Sequence, residues 1–296
     1  MNGSKNKFAF EILKAKFFDN IKNIDDLIVK INKGYNFNNR GIEKTKGDIF
    51  EIFCEAYLKT NPEYQVKEVY PQGYVPINIR NKLKLNYQDK GYDGVYETLS
   101  GEFNTYQSKF RSNDEQLTWQ GKNGLSSFIG VSEKANIRHL LATSNKVSSE
   151  FLSKSRIQLT LLTDLKKLNK IDFDKINNFL NKKKIEFKKH KPEKYQQIAV
   201  SSVLKEFKSN NRATLIMACG TGKTEVGLWV YEKRKPKVAL VLVPSIALVK
   251  QIRASWLSQI DYKIATYQLC SSKDITKQED HIQVKKNDLD MQFYSD

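Results

Sequence analysis

The chain has little cysteine, little histidine and a deficit of acid. Its three cysteines, Cys54, Cys219 and Cys270, lie far apart in 296 residues and form no CxxC pair. That excludes a disulfide framework and a cysteine-based zinc cluster, and it suits a reducing, cytoplasmic setting. The three histidines, His139, His190 and His281, show no metal-ligand spacing and read as structural or surface residues. The first residues, Met1-Asn2-Gly3-Ser4-Lys5, lack the apolar core of a signal peptide. No apolar run is long enough to cross a bilayer as a helix, so no membrane partner is expected. No internal repeat is found.

What is abundant is base. Fifty Lys+Arg stand against 33 Asp+Glu, giving a formal net charge of +17 and a pI of about 9.5. Such a balance favours a polyanion, and DNA is the partner expected. Hydrophobic residues make up 40% of the chain, enough for real cores, and the length points to two domains.

Along the chain, Phe8, Phe10, Ile12, Leu13, Phe17, Phe18 and Ile21 recur at helical spacing, and Ile24, Leu27, Ile28 and Ile31 form a second set ending at Gly34. A helix is predicted over residues 47–58, with Phe50, Phe53 and Tyr57 as its apolar stripe. Residues 64–70 read as a strand and residues 71–90 as loop. Residues 91–96 and 104–110 read as a strand pair turning at Ser100-Gly101. The apolar runs 137–142 and 157–162, with a helix over 148–154 between them, form a βαβ unit and give the chain α/β character. The basic run Lys182–Lys191 is either a solvated linker helix or a bridge that tracks phosphates. The expected division is an N-terminal helical segment over 1–40, a domain over 41–168, a basic linker over 169–190 and a second domain over 191–296.

The second domain opens on the most informative stretch of the sequence, Met217-Ala218-Cys219-Gly220-Thr221-Gly222-Lys223-Thr224. It lies between an apolar run at 213–217 and a helix predicted over 225–233. Strand, glycine-rich loop, Lys-Thr and helix is the order of a phosphate-binding loop. The glycines turn backbone N–H groups onto an anion, and the helix N-terminus adds partial positive charge. Lys223 is expected to reach the β- and γ-phosphates of ATP, and the Thr224 hydroxyl to hold Mg²⁺. The strict pattern has glycine where this chain has Met217.

Upstream stands Tyr195-Gln196-Gln197-Ile198-Ala199, and downstream Val243-Pro244-Ser245-Ile246-Ala247-Leu248-Val249-Lys250-Gln251. In this order and spacing the three motifs resemble the start of a superfamily 2 helicase motor, in the subgroup of restriction enzymes and related DNA translocases. The resemblance covers roughly residues 190 to 270, and that family tolerates a non-glycine at the Met217 position. It implies a RecA-like P-loop lobe that binds ATP with Mg²⁺ through Gln196, Gly220, Thr221, Gly222, Lys223 and Thr224. Gln196 would read the adenine, and Pro244 to Gln251 would lie near the nucleic-acid strand.

A second constellation lies in the first domain. Gln107 and Lys109 are two apart on a predicted strand and so share a face. The preceding strand carries Asp93, and the helix before it carries Glu51 and Glu55 at i,i+4. Two carboxylates, an amide oxygen and a lysine can hold a divalent metal and activate water. The plainer alternative is a surface ion pair between Asp93 and Lys109. At these residues the chain resembles the PD-(D/E)xK nuclease superfamily in its Mrr-like restriction branch, where Gln-x-Lys replaces Glu-x-Lys. The resemblance implies that Asp93, the Gln107 side chain and the Ser108 carbonyl bind Mg²⁺ with Glu51 assisting. Lys109 would be the catalytic lysine, and Glu55 is a second candidate for the helix glutamate.

The expectation is therefore an α/β chain with a PD-(D/E)xK restriction-endonuclease-like domain followed by a partial RecA-like lobe: a Mg²⁺-dependent DNA endonuclease coupled to an ATP-driven motor. No Asp-Glu-x-His motif follows Gln251, so the motor reads as truncated before its Mg²⁺-orienting carboxylate. ATP hydrolysis is expected only in a full-length form, and cutting both DNA strands would need a second copy. The rival expectations are a DNA-binding module without catalysis and a regulatory truncation with a vestigial ATP site.

Overall fold

The structure, a computed structural model, describes residues 16–34, 42–86, 91–121, 124–183 and 189–260, together with 262, 264 and 266. These fall into two compact units, one within residues 1–185 and the other within 186–270.

The first unit is a mixed α/β body on one five-stranded sheet, ordered β1 (Val66–Pro71), β2 (Gly94–Thr98), β3 (Phe103–Lys109), β4 (Arg138–Ala142) and β5 (Ile157–Thr160). β1 pairs with β2 and β2 with β3 antiparallel, whereas β3 pairs with β4 and β4 with β5 in parallel. Side chains alternate across a sheet, so each strand feeds two cores. On one face, α1 (Ile24–Asn32), α2 (Ile42–Thr60) and α7 (Lys170–Leu180) bury Leu27, Phe50, Phe53 and Phe173 against Tyr96, Tyr106 and Leu141. On the other, α3 (Ile77–Leu83), α4 (Ser126–Val131) and α5 (Ser149–Leu152) bury Ile79, Phe128 and Phe151 against Val95 and Leu140. A short α6 (Leu162–Leu165) follows β5.

The predicted strand pair and βαβ unit form as expected, with Gly101 at φ +87° in the turn between β2 and β3. Three segments differ. Residues 71–90, expected as loop, contain α3: Val75, Ile79 and Leu83 recur every four residues and all are buried. The turn-forming prolines masked that periodicity, but Pro76 only caps the helix start, where proline is tolerated. Phe17, Phe18 and Ile21 are buried as predicted, yet residues 16–20 form turns with Lys16 and Asn20 in the left-handed region. The rest of that predicted helix lies outside the described residues. Finally, residues 170–180 of the expected linker form α7, whose Phe173 and Ile176 complete the first core.

The second unit holds α8 (Lys194–Glu206), α9 (Lys223–Arg234) and α10 (Ile246–Leu257). Val200, Val226 and Trp229 form one small core; Leu228, Leu257 and Ile260 form another. The helix predicted over 225–233 forms as α9. The apolar runs 213–217 and 239–243, which read as strands in the sequence, form none: among the described residues this unit has no β-ladder. A strand exists only when paired, and neither segment pairs with the other. A further segment, 262–268, reads as a third strand of this domain in the sequence and lies largely outside the described residues.

Candidate functional site

The first cluster stands where β2 begins and β3 ends. Gly94 pairs with Tyr106, so Asp93, one residue earlier, lies beside Gln107. Asp93 is held on one oxygen: Oδ2 accepts from the Ser108 backbone N–H (2.7 Å) and from the Ser108 hydroxyl (2.8 Å). Its other oxygen, Oδ1, accepts no hydrogen bond among the described residues. Gln107 is 3% exposed. Its Oε1 is buried without a hydrogen-bond partner. A buried polar oxygen left unpaired costs about 1–3 kcal/mol, and a water or an ion can complete it. Asp93 Oδ1 and Gln107 Oε1 are hard oxygen donors of the kind Mg²⁺ takes. Among the described residues no three His, Cys, Asp or Glu form a metal-holding group. The predicted set differs from such a group because it combines one carboxylate with an amide and a backbone carbonyl.

Lys109 is half-buried at the end of β3. Burial lowers its pKa, Asp93 and Glu51 oppose that shift electrostatically, and Arg111 reinforces it. The helix glutamates are brought in by packing. Phe110 meets Phe50 with ring centroids 5.9 Å apart, which ties the exit of β3 to the turn of α2 that carries Glu51. One turn on, Glu55 Oε1 accepts from the Tyr106 hydroxyl (3.3 Å). Tyr106 reaches it by crossing Gly94, where a Cβ would stand 2.4 Å from the phenol oxygen. Burial raises the pKa of Tyr106, and Glu55, Asp93 and Glu51 add to the rise. Buried Cys54 feels the same three carboxylates. No ion pair joins Asp93 to Lys109 among the described residues, so the surface-ion-pair alternative is not what the side chains form.

In the second unit the loop 217–224 wraps toward the start of α9. Gly220 and Gly222 have φ +78° and +80°, which only glycine adopts freely. A Cβ on Gly222 would also lie 2.5 Å from Gln196 Nε2. Gln196 is buried against this loop; its Nε2 donates to Thr221 O (3.0 Å) and its Oε1 accepts from Glu193 N–H (2.8 Å). The Tyr195 hydroxyl donates to the same Thr221 carbonyl (3.3 Å). Thr221 Oγ1 donates to Ala218 O at 2.7 Å, which tightens the loop. Lys223 folds over it, donating to Met217 O (3.1 Å) and Ala218 O (3.0 Å). The N-cap residue of α9, Gly222, has no side chain to cap the first-turn N–H groups. Trp256 of α10 secures Thr224 from behind by donating to its carbonyl (2.9 Å).

Residues 189–294 match the family model described as type III restriction enzyme, res subunit (ResIII). The matched stretch contains the glycine loop 217–224 and Gln196, and it starts after the last residue of the Asp93–Lys109 cluster. Among solved structures the chain is similar to the "ATP-dependent Type ISP restriction-modification enzyme LlaBIII bound to DNA". The identity is 25% and the TM-score 0.47, over 73% of this chain and 13% of that one. The chain thus spans a small part of that enzyme's length. No curated protein sequence matches it. The second unit is therefore similar to the helicase-like region of restriction enzyme res subunits.

Several residues around the first cluster escaped the reading of the sequence. The role of Ser108 in fixing Asp93 uses a hydroxyl and a backbone N–H that no motif records. Thr143, at the end of β4, binds the chain just past Lys109: its Oγ1 accepts from Arg111 N–H (2.7 Å) and donates to Arg111 O (2.9 Å). Thr143 is 32 residues from Arg111, and only the parallel pairing of β3 with β4 makes them neighbours.

Proposed function

We propose that the first unit is a Mg²⁺-dependent DNA nuclease domain of PD-(D/E)xK type. The second unit is then part of a restriction-type, ATP-binding motor lobe. The observation that carries the nuclease reading is a pair of oxygens at the sheet end: Asp93 pinned through Oδ2 with Oδ1 open, beside the unsatisfied Gln107 Oε1. Asp93, Gln107 and the Ser108 carbonyl would hold Mg²⁺, with Glu51 assisting. Bound there, the ion supplies Lewis acidity and a water of lowered pKa. Lys109 orients the attacking water or stabilises charge on the phosphorane oxygens. The net charge of +17 fits DNA as the substrate. Lys223, the loop glycines and the open start of α9 would take the phosphates of ATP, with Thr224 on Mg²⁺. Gln196 retains one free N–H and one free lone pair for a base edge.

The test is incubation of the purified chain with supercoiled DNA and Mg²⁺ or Mn²⁺, with and without ATP, beside Asp93→Ala and Lys109→Ala. Metal-dependent nicking lost in both variants, with DNA binding kept in Lys109→Ala, is expected. Binding without cutting under every metal would sink the nuclease reading and leave a DNA-docking module.

A further inference from the structure

Three arginines of the first unit engage the protein in different ways. Arg138 is buried and spends its guanidinium on the carbonyls of Ser132, Ser155 and Glu133. Arg156 binds the carbonyls of Ala135 and Glu133. Both are braces for the turn ahead of β4. Arg111 is built otherwise. Its anchorage lies in the main chain, through the reciprocal Thr143 bonds, and its guanidinium makes a single bond, to the carbonyl of its neighbour Phe110 (2.9 Å). A guanidinium carries five N–H donors, so four remain. No carboxylate pairs with it among the described residues.

Its position gives those donors a use. Arg111 follows Lys109 by two residues, about 6.6 Å along extended chain, with Phe110 packed on Phe50 between them. The main-chain clamp keeps both cations at the open end of the sheet. Their like charges repel, and an anion placed between or beside them relieves that repulsion. Planar guanidinium is the side chain best matched to phosphate oxygens.

We infer that Arg111 is a substrate-binding residue that grips the DNA phosphodiester adjacent to the one served by Lys109. The inference rests on the nuclease reading for which bond is cut, but its binding arm does not depend on cutting.

The experiment uses the full chain with Ca²⁺, which holds DNA without supporting rapid cleavage. A short fluorescent DNA duplex is titrated over a series of salt concentrations against the wild type, Arg111→Gln and Arg111→Lys. Thermal melting and Mg²⁺ cleavage are run in parallel. Expected is a roughly tenfold rise in Kd for Arg111→Gln and a smaller one for Arg111→Lys. The slope of log K against log salt should fall in magnitude by about 0.9, the value of one phosphate contact, in Arg111→Gln, with an unchanged melting temperature because the Thr143 clamp is main chain. In cleavage the defect should sit mainly in KM. If the wild type binds and cuts while Arg111→Gln keeps its Kd and salt slope, the inference is overturned and the nuclease reading stands. A lowered melting temperature with an unchanged slope also overturns it, making Arg111 a brace. If the wild type never cuts but Arg111→Gln still loses affinity and slope, the nuclease reading fails and the phosphate contact holds. A wild type that neither binds nor cuts overturns both.

Discussion

Both units contain apolar segments, and the segments meet different fates. In the first, every residue of β4 is buried, flanked by β3 and β5 and covered on both faces. In the second, Val238, Leu240 and Leu242 belong to a run more apolar than β4 yet stand 87%, 78% and 81% exposed, and Ile216 stands 91% exposed. Hydrophobic patterning supplies a reason to bury a segment, while a strand also needs neighbours to take its N–H and C=O groups. The five strands of the first unit supply each other's partners. The extended segments of the second have none among the described residues, and such edges invite association.

The sharpest way to break the comparison is at the first core. Phe53 is fully buried and stacks on Phe50, Tyr57 and Phe173. Phe53→Ala should remove about 3–5 kcal/mol from the unfolding of the first unit, read by urea denaturation. A smaller shift would mean that the three helices on this face collapse into the void. Next in size is Gly94→Ala, whose methyl would meet the Tyr106 ring and Tyr70 O at about 2.5 Å. It should cost about 1–3 kcal/mol through overpacking and displace Tyr106 from Glu55. Tyr106→Phe in the same background should then cause almost no further change, since the bond it deletes is already gone.

Against these, Leu242→Lys should alter stability by less than about 0.5 kcal/mol, the range of ordinary surface positions. Its effect should appear in light scattering, as reduced self-association. A large loss of stability would show that the segment is buried in solution and the contrast between units false. The smallest effect concerns pH. Asp114 accepts from Asn145 N–H and the Ser144 hydroxyl, which hold its pKa below the usual carboxylate value. A depressed folded pKa contributes stability above the unfolded value of about 3.9, and that contribution disappears as pH falls through the folded value. Asp114→Asn should therefore melt slightly below the wild type at neutral pH and equal to it in strong acid. A gap that persists in acid would assign the effect to lost geometry rather than charge.

Much of the candidate site could be read from residue order. Gln107 and Lys109 share a face by strand parity, and a short turn at Gly101 forces Asp93 back beside them. The loop at 217–224 was legible because Gly220 and Gly222 mark left-handed backbone that few other residues accept. What was hidden came from contacts distant in sequence. Thr143 meets Arg111 across a parallel ladder, Tyr64 shares Thr160 with His139 from 96 residues away, and Tyr106 reaches Glu55 only because α2 lies over Gly94. The helix at 77–83 was missed for a different reason, since its four-residue repeat stands among prolines and polar residues that dominate a local reading.

By itself, the order of residues determined local geometry: the apolar stripe set the helix α2, the glycine-loop motif set α9, the turn glycines set the bends, and charge set the expectation of a polyanionic partner. These depend on neighbours within a few positions or on totals. Tertiary structure alone decided which oxygens were left without partners and which apolar segments became strands. Each of those outcomes depends on pairing between groups far apart in the chain, where hydrogen bonds and packing are settled collectively rather than residue by residue.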